Sequence, residues 1–244
     1  MRRVLAIIAI QLLLLPITAA AYDDYTAFEG ETIGCALGSV GEQLIAEAVN
    51  GKVAQYAEIT SGIEDLRRGR IAGYTTDTSI ARVLISEEGN EGLDYVEIPE
   101  EVFAAPMGAL SLNQELVDRY NAFQDKLKAD GTFAEMQQRW IEVVPDSDTE
   151  MPEFDLQGGN GKLTIATNGD GLPFSYIGAG GKLKGYSIEL IQRFAEHEGM
   201  ELELIKMDFG AMIPHVISGK SDMAIANISI TEERRKSVIF TDPI

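Results

Sequence analysis

The residues best suited to chemistry stand where apolar runs give way to small polar turns. The stretch Asp222–Arg235 reads DMAIANISITEERR: a strand over Met223–Ile225, a turn at Ala226 and Asn227, and a helix that Thr231 opens. Thr231 is a suitable N-cap because its hydroxyl can accept from a free amide of the first turn, and Glu232 and Glu233 complement the positive end of the helix. Arg234 stands one turn in, with Asn227 and Ser229 before it. A guanidinium offers two parallel charge-assisted hydrogen bonds, so this grouping suits a carboxylate. Taken alone, Arg234 also fits a surface residue pairing with a Glu of its own helix. A second candidate anion site lies at Leu37–Gly41, where a Gly/Ser turn after the strand Thr32–Ala36 places Ser39 and backbone amides at the start of a helix over Glu42–Val49.

Composition narrows the function classes. The 244 residues suffice for one large domain or two α/β lobes. A net charge of −19 disfavours nucleic acid as a partner, since phosphate neutralisation needs an excess of Lys and Arg. One cysteine, Cys35, excludes an internal disulfide, and with only His197 and His215 beside it the usual zinc patterns fail too. No cofactor or metal is expected. Enzyme motifs are equally thin. His197-Glu198 lacks the second His of a metalloprotease helix, and Gly219-Lys220-Ser221 has Pro214 where a phosphate loop needs Gly. Cys35 reads as an inert core thiol, and Asn227-Ile228-Ser229 as a chance glycosylation match.

Residues 1–21 read as a signal peptide: Arg2 and Arg3, the apolar run Val4–Ile17, then Ala19-Ala20-Ala21, with cleavage expected after Ala21. The chain is therefore expected in the periplasm or outside the cell. Beyond it, elements alternate as strands and helices. Expected strands are Thr32–Ala36, Gln55–Ile59, Ile71–Thr75, Tyr95–Ile98, Leu163–Ala166, Leu202–Lys206 and Met223–Ile225; expected helices are Glu42–Val49, Gly62–Arg68, Ser79–Ile85, Glu115–Lys128, Thr132–Ile141, Ile188–Glu198 and Gly210–Ile217. The acidic, Pro- and Gly-rich stretch 145–160 reads as a linker. The helix, Arg-Gly-Arg and strand of Ile63–Thr75 are echoed by the helix, Ser-Gly-Lys and strand of Ile213–Ile225. Two α/β lobes of one plan follow, and parallel α/β sheets bind ligands at the carboxyl ends of their strands. Ser39, Asp77, Asn168, Asn227 and Ser229 all fall there.

Leu163–Tyr176 (LTIATNGDGLPFSY), Gly185–Leu190 (GYSIEL), Met207–Pro214 (MDFGAMIP), Ser218–Ala226 (SGKSDMAIA) and Ser229–Ile244 (SITEERRKSVIFTDPI) together resemble the family 3 extracellular solute-binding proteins, the periplasmic amino-acid-binding proteins of ABC transporters. The resemblance implies a bilobed α/β fold of the periplasmic-binding-protein type, with mostly parallel sheets flanked by helices. It places residues 161–244 as the first half of lobe 1, 22–108 as a lobe 2-like segment and 109–144 as the closing helices of lobe 1. That order is unusual for the family; a tandem fragment or a circular permutation would each produce it, and the end within FTDPI favours the fragment. It also implies site roles. Arg234 would pair with an amino acid's α-carboxylate, helped by Ser39 and the neighbouring amide of Val40. Asp77 would take the α-ammonium, near the Asn227 carbonyl and the Ser229 hydroxyl. Phe209 would pack on the ligand side chain, and Phe174 and Asn168 complete the set. Asn168 replaces the family's common Asp, which weakens the ammonium contact; Gly171 replaces a common aromatic, and Ser187 the Asp of GFD. The expected partners are a small-molecule ligand, an amino acid, and an ABC-transporter permease in the membrane. The rivals are the sensing module of a signalling protein and a dehydratase-like enzyme on the same fold.

Overall fold

The computed structural model describes residues 11–16, 24–145 and 149–244. They fall into two compact units, one running to Ala105 and one from Pro106 onward.

The first unit is a five-stranded sheet in the order β3-β2-β4-β1-β5. Its strands are β1 (Gln11–Pro16), β2 (Thr32–Ala36), β3 (Lys52–Tyr56), β4 (Gly73–Asp77) and β5 (Leu93–Glu97). Strand β2 pairs parallel with β3 and β4, while β1 lies antiparallel between β4 and β5. The connections are helical: α1 (Gly41–Leu44, continuing as a π-turn over Ile45–Val49), α2 (Ile59–Arg67) and α3 (Thr78–Ser86). Each helix buries one stripe, Ile63 and Leu66 on α2 and Ile80, Ala81, Val83 and Leu84 on α3. Leu13, Phe28, Ile33, Cys35, Leu44, Ile45, Val49 and Ile98 form one core cluster. Gly41 is what lets α1 start so close to the sheet. A Cβ there would clash with Thr75 Oγ1 and fall 2.6 Å from Cys35 Cβ.

Part of the expected signal peptide, Gln11–Pro16, is thus an interior strand of this sheet, between β4 and β5. The remainder of residues 1–21, with the expected cleavage site at Ala19–Ala21, lies outside the described residues. Two neighbouring strands are offset from expectation by two or three residues. β3 begins at Lys52 rather than Gln55, and β4 runs to Asp77, which is therefore the last residue of the strand and the N-cap of α3.

The second unit repeats the plan in the order β11-β7-β12-β6-β13, from β6 (Leu110–Ser111), β7 (Lys162–Thr167), β11 (Glu201–Lys206), β12 (Met223–Ala224) and β13 (Ile239–Phe240). Strand β7 pairs parallel with β11 and β12, and β6 lies antiparallel between β12 and β13. Both sheets are therefore mixed: three parallel strands, an antiparallel fourth, and a fifth that runs with the third. A small antiparallel sheet of β8 (Asp170–Gly171), β9 (Ser175–Ile177) and β10 (Leu183–Lys184) projects from the end of β7. The helices are α4 (Gln114–Asp130), α5 (Thr132–Gln137, continuing as a π-turn to Glu142), α6 (Tyr186–Glu198), α7 (Met212–Ile217) and α8 (Glu232–Arg235).

The helical spacing of Leu116, Tyr120, Phe123 and Leu127 on α4 is a core stripe, and all four are buried. Tyr120 and Phe123 meet Phe194 of α6 at ring-centroid distances of 5.0 and 5.5 Å. Beside them sits a buried carboxylate. Glu189, with no exposed side-chain surface, accepts from Arg139 at 2.8 Å, from Arg193 at 2.8 and 2.9 Å and from Trp140 Nε1 at 2.7 Å. Two guanidinium groups and an indole N–H satisfy it, as a buried charge requires. This knot joins α5 to α6, so residues on both sides of the expected linker 145–160 build one unit. The described part of that stretch lies along the unit: the Arg193 guanidinium stands 5.2 Å over the Phe154 ring, the Asp155 amide donates to Glu196 and the Asn160 side chain donates to the Glu198 carbonyl.

Candidate ligand-binding site

In the second unit the candidate residues gather past the carboxyl ends of β7, β11 and β12. Thr167, the last residue of β7, is fully buried; its hydroxyl donates to the Ile225 carbonyl at 2.8 Å and lies 3.0 Å from Ser175 Oγ. Ser175 Oγ donates to the Asn168 carbonyl at 2.7 Å. These bonds tie the turn after β7 to the turn after β12. Asn168 is held there with 4% of its surface exposed; its amide Nδ2 donates to Asp170 at 2.9 Å while its buried Oδ1 has no partner. Asn227 stands opposite. A Cβ on Gly171 would lie 3.1 Å from Asn168 Nδ2 and 3.7 Å from Asn227 Oδ1, so the absence of a side chain at 171 leaves this space open between the two amides.

Ser229 is buried and bridges to Met107, while the Ile228 carbonyl accepts from Gly108 and the Ile230 amide donates to Pro106. The segment after β12 is thereby pinned to the one before β6. Thr231 caps α8 as expected, accepting from the Arg234 amide at 3.2 Å. Arg234 then folds back, and its Nη1 donates to the Ser229 carbonyl at 2.6 Å. Arg234 is half-buried, and burial lowers its pKa from the usual arginine value, yet a guanidinium remains charged at any physiological pH. Its neighbour Arg235 is exposed and pairs with Glu232. Phe209 is half-buried and packs with Met207 and Ile213 against the cluster of Leu110, Ala166, Met212, Val216 and Phe240. Phe174 has no exposed surface and meets Tyr186 edge-on at 6.4 Å, within the core.

In the first unit, Ser39 and Val40 form the turn between β2 and α1. Ser39 Oγ accepts from the Gly41 amide at 3.1 Å, and Val40 is the N-cap of α1 with no side-chain cap. Asp77 ends β4 with 6% of its surface exposed, at the N-terminus of α3, where the helix favours its negative charge. Burial and the charge of nearby Glu42 push the Cys35 thiol up to about 11, which makes it unreactive at neutral pH.

Sequence reasoning missed Thr167, Ser175 and Asp170 as the groups that position Asn168. The signal for Thr167 is a hydroxyl at the end of an otherwise apolar strand, TIAT, where an apolar side chain would pack as well. Among the described residues no group of three His, Cys, Asp or Glu could hold a metal ion, and no helix is long and apolar enough to cross a membrane.

Comparison with known proteins places this geometry. The chain is 37% identical over 81 residues to a probable histidine-binding protein of Campylobacter jejuni, covering 33% of this chain and 31% of that protein. It is 34% identical over 83 residues to the L-cystine-binding protein TcyJ of Escherichia coli, covering 34% and 31%. An enzyme, the cyclohexadienyl dehydratase of Pseudomonas aeruginosa, is 32% identical over 84 residues, covering 34% and 31%. The chain thus spans about a third of the length of the curated relatives it matches. Among solved structures, the substrate binding protein of an amino acid ABC transporter aligns at 17% identity and a TM-score of 0.47, over 56% of this chain and 61% of its own. The stretch that carries Asn168, Asn227 and Arg234 matches a described family: residues 163–244 are similar to the bacterial extracellular solute-binding proteins, family 3.

Proposed function

We propose that this chain is an exported solute-binding protein that captures a small zwitterion, an amino acid, and hands it to an ABC-transporter permease. The observation that carries the reading is Arg234, a charged fork half-buried beside hydroxyl and amide groups and fixed at both ends, by the Thr231 cap and by the Ser229 carbonyl. Relatives named as binders of histidine, cystine and arginine share the segment around it. In this reading Arg234 takes the ligand's carboxylate with the Ser229 hydroxyl. Asn168 and Asn227 hold polar groups, and Phe209 covers an apolar part. Each charge-assisted hydrogen bond contributes roughly 1.5–3 kcal/mol net, so a few suffice for micromolar affinity. A ligand that binds one conformation better than another shifts the population toward it, which is a signal that a membrane partner can read.

The dehydratase match favours one second reading, elimination of water from a bound substrate. Such a reaction needs a positioned acid–base pair. Among the groups that hold Asn168 and Arg234, which are Asp170, Ser175, Ser229 and Thr231, only Asp170 is an acid, and a single carboxylate is not such a pair, so capture is the better account.

A thermal-shift panel of the twenty amino acids at millimolar concentration tests the proposal. A ligand of micromolar affinity stabilises by about 4 kcal/mol at a thousandfold excess over its dissociation constant. A clear rise in melting temperature with one chemical class of amino acid is expected, and no shift with any of them contradicts the reading.

A further inference from the structure

Three asparagines of this chain are followed directly by glycine: Asn50, Asn160 and Asn168. Asparagine is a chemically labile residue, and a following glycine has no side chain to shield its amide nitrogen. That nitrogen, on losing its proton, can attack the preceding carboxamide carbon. The Cγ–Nδ2 bond then breaks, ammonia leaves, and water opens the resulting imide to an aspartate or an isoaspartate. One water is consumed for each ammonia released, and nothing is oxidised or reduced. The glycine N–H must be free to approach the side chain, so the fold decides which asparagine reacts.

Asn50 is held on both sides of the reacting bond. Its side chain donates to Glu29 at 3.0 Å, and the Gly51 amide donates to the Ile45 carbonyl at 3.1 Å. Asn168 is buried; its side chain donates to Asp170 and its carbonyl accepts from Ser175 Oγ. Asn160 and Gly161 are both exposed. The Gly161 carbonyl accepts from the Glu201 amide at 2.9 Å, but the Gly161 N–H donates to no group among the described residues. The space beside Gly161 is open, since a Cβ there would meet only Met200 Cε, at 3.9 Å.

Asn160 is also a clasp. Residues 149–161 run beside α6 with no helix or strand of their own. At their end the Asn160 amide donates to the Gly199 carbonyl at 3.0 Å, and Asn160 Nδ2 donates to the Glu198 carbonyl at 2.8 Å. Both acceptors lie at the carboxyl end of α6, the negative end of its dipole. An NH2 donor suits that place. A carboxylate has no proton to give there and sets a negative charge against it.

We propose that Asn160 is a site of deamidation, and that its conversion unfastens residues 149–161 from the end of α6. The inference concerns the second unit alone and does not depend on which solute the protein binds.

The test is peptide mapping by mass spectrometry of the folded chain after incubation in mildly alkaline buffer, with the denatured chain as control. Asn160 is expected to convert at least about tenfold faster than Asn50 and Asn168, because those two must first open locally. Faster conversion at either of the others overturns the assignment. So does an unconverted Asn160 in the folded chain when the control has reacted. Hydrogen exchange on Asn160→Asp isolates the consequence. The amides of residues 155 and 160 should exchange at least about tenfold faster than in the wild type, while those of β7 keep their rates. Unchanged exchange at 155 and 160 overturns the clasp. The deamidated fraction of wild-type chain, separated by charge, gives the same comparison without a substitution.

Discussion

Arg234 donates through Nη1 to the carbonyl oxygen of Ser229 at 2.6 Å, five residues before it. This bond turns the guanidinium back over the strand end it follows, away from the solvent side of α8 that Arg235 occupies. Fixing a long side chain before ligand arrives removes rotamer entropy that binding would otherwise cost.

Arg234→Lys is expected to weaken amino-acid binding at least about tenfold, because an ammonium cannot offer the bidentate fork. The melting temperature of the unliganded protein should stay within about 1–2 °C, since the side chain is not part of the core. Calorimetric titration and a melting curve check the two halves of this statement.

Asp77→Asn keeps the shape of the α3 N-terminus and removes the charge. The loss of charge at the start of α3 should lower the stability of the first unit by about 0.3–1 kcal/mol, read as a shift in the denaturation midpoint. An unchanged midpoint would contradict the role of Asp77 at this helix start.

Glu189→Gln is expected to destabilise the second unit by about 3–5 kcal/mol, because Arg139 and Arg193 then lose the anion that satisfies them. Trp140 donates to the same carboxylate and is the only tryptophan, so its fluorescence reports the transition directly. An unchanged denaturation midpoint contradicts the role assigned to the knot.

Cys35 gives a prediction in pH. Its thiol is raised in the folded protein from 9.0 to about 11, chiefly by burial. Between those values the unfolded chain has already released the proton that the folded protein still holds, so stability is full below pH 9 and falls as pH rises toward 11. A rise from 9.0 to about 11 corresponds to at most about 2.7 kcal/mol. The difference in this slope between the wild-type chain and Cys35→Ala isolates the thiol from other titrating groups. In native protein the thiol should also resist a disulfide reagent at pH 8 and react once the chain unfolds.

The helix ends of both units were legible in the sequence because their signals are local. Thr231 caps α8, Gly69 closes α2 and Gly199 closes α6, and each is a choice made by a side chain or a positive φ within one turn. The two short strands β6 and β13 were not legible. Two residues carry no periodicity, and these become strands only through pairing, Leu110 with Ala224 and Phe240 and Phe240 with Leu110. Strand β1 was hidden for a different reason: an interior strand is apolar on both faces, and the run QLLLLP has the same composition as a leader. The Glu189 knot escaped because Arg139 and Glu189 are fifty residues apart and nothing local marks either as buried. In the site, Asn168 was visible as a residue past a strand end. Its orientation depends on Asp170 and Ser175, which only the turn between β7 and β9 brings to it.

The measurement that bears most directly on the account is calorimetric titration of three forms of the full-length chain, wild type, Arg234→Ala and Arg235→Ala, with the amino acid that gives the largest thermal shift. Removing the fork from Arg234 should cost at least about a hundredfold in affinity, as expected for two charge-assisted hydrogen bonds, while the exposed neighbour Arg235 should be replaceable with less than about a threefold change. Equal affinity in wild type and Arg234→Ala would contradict the central claim.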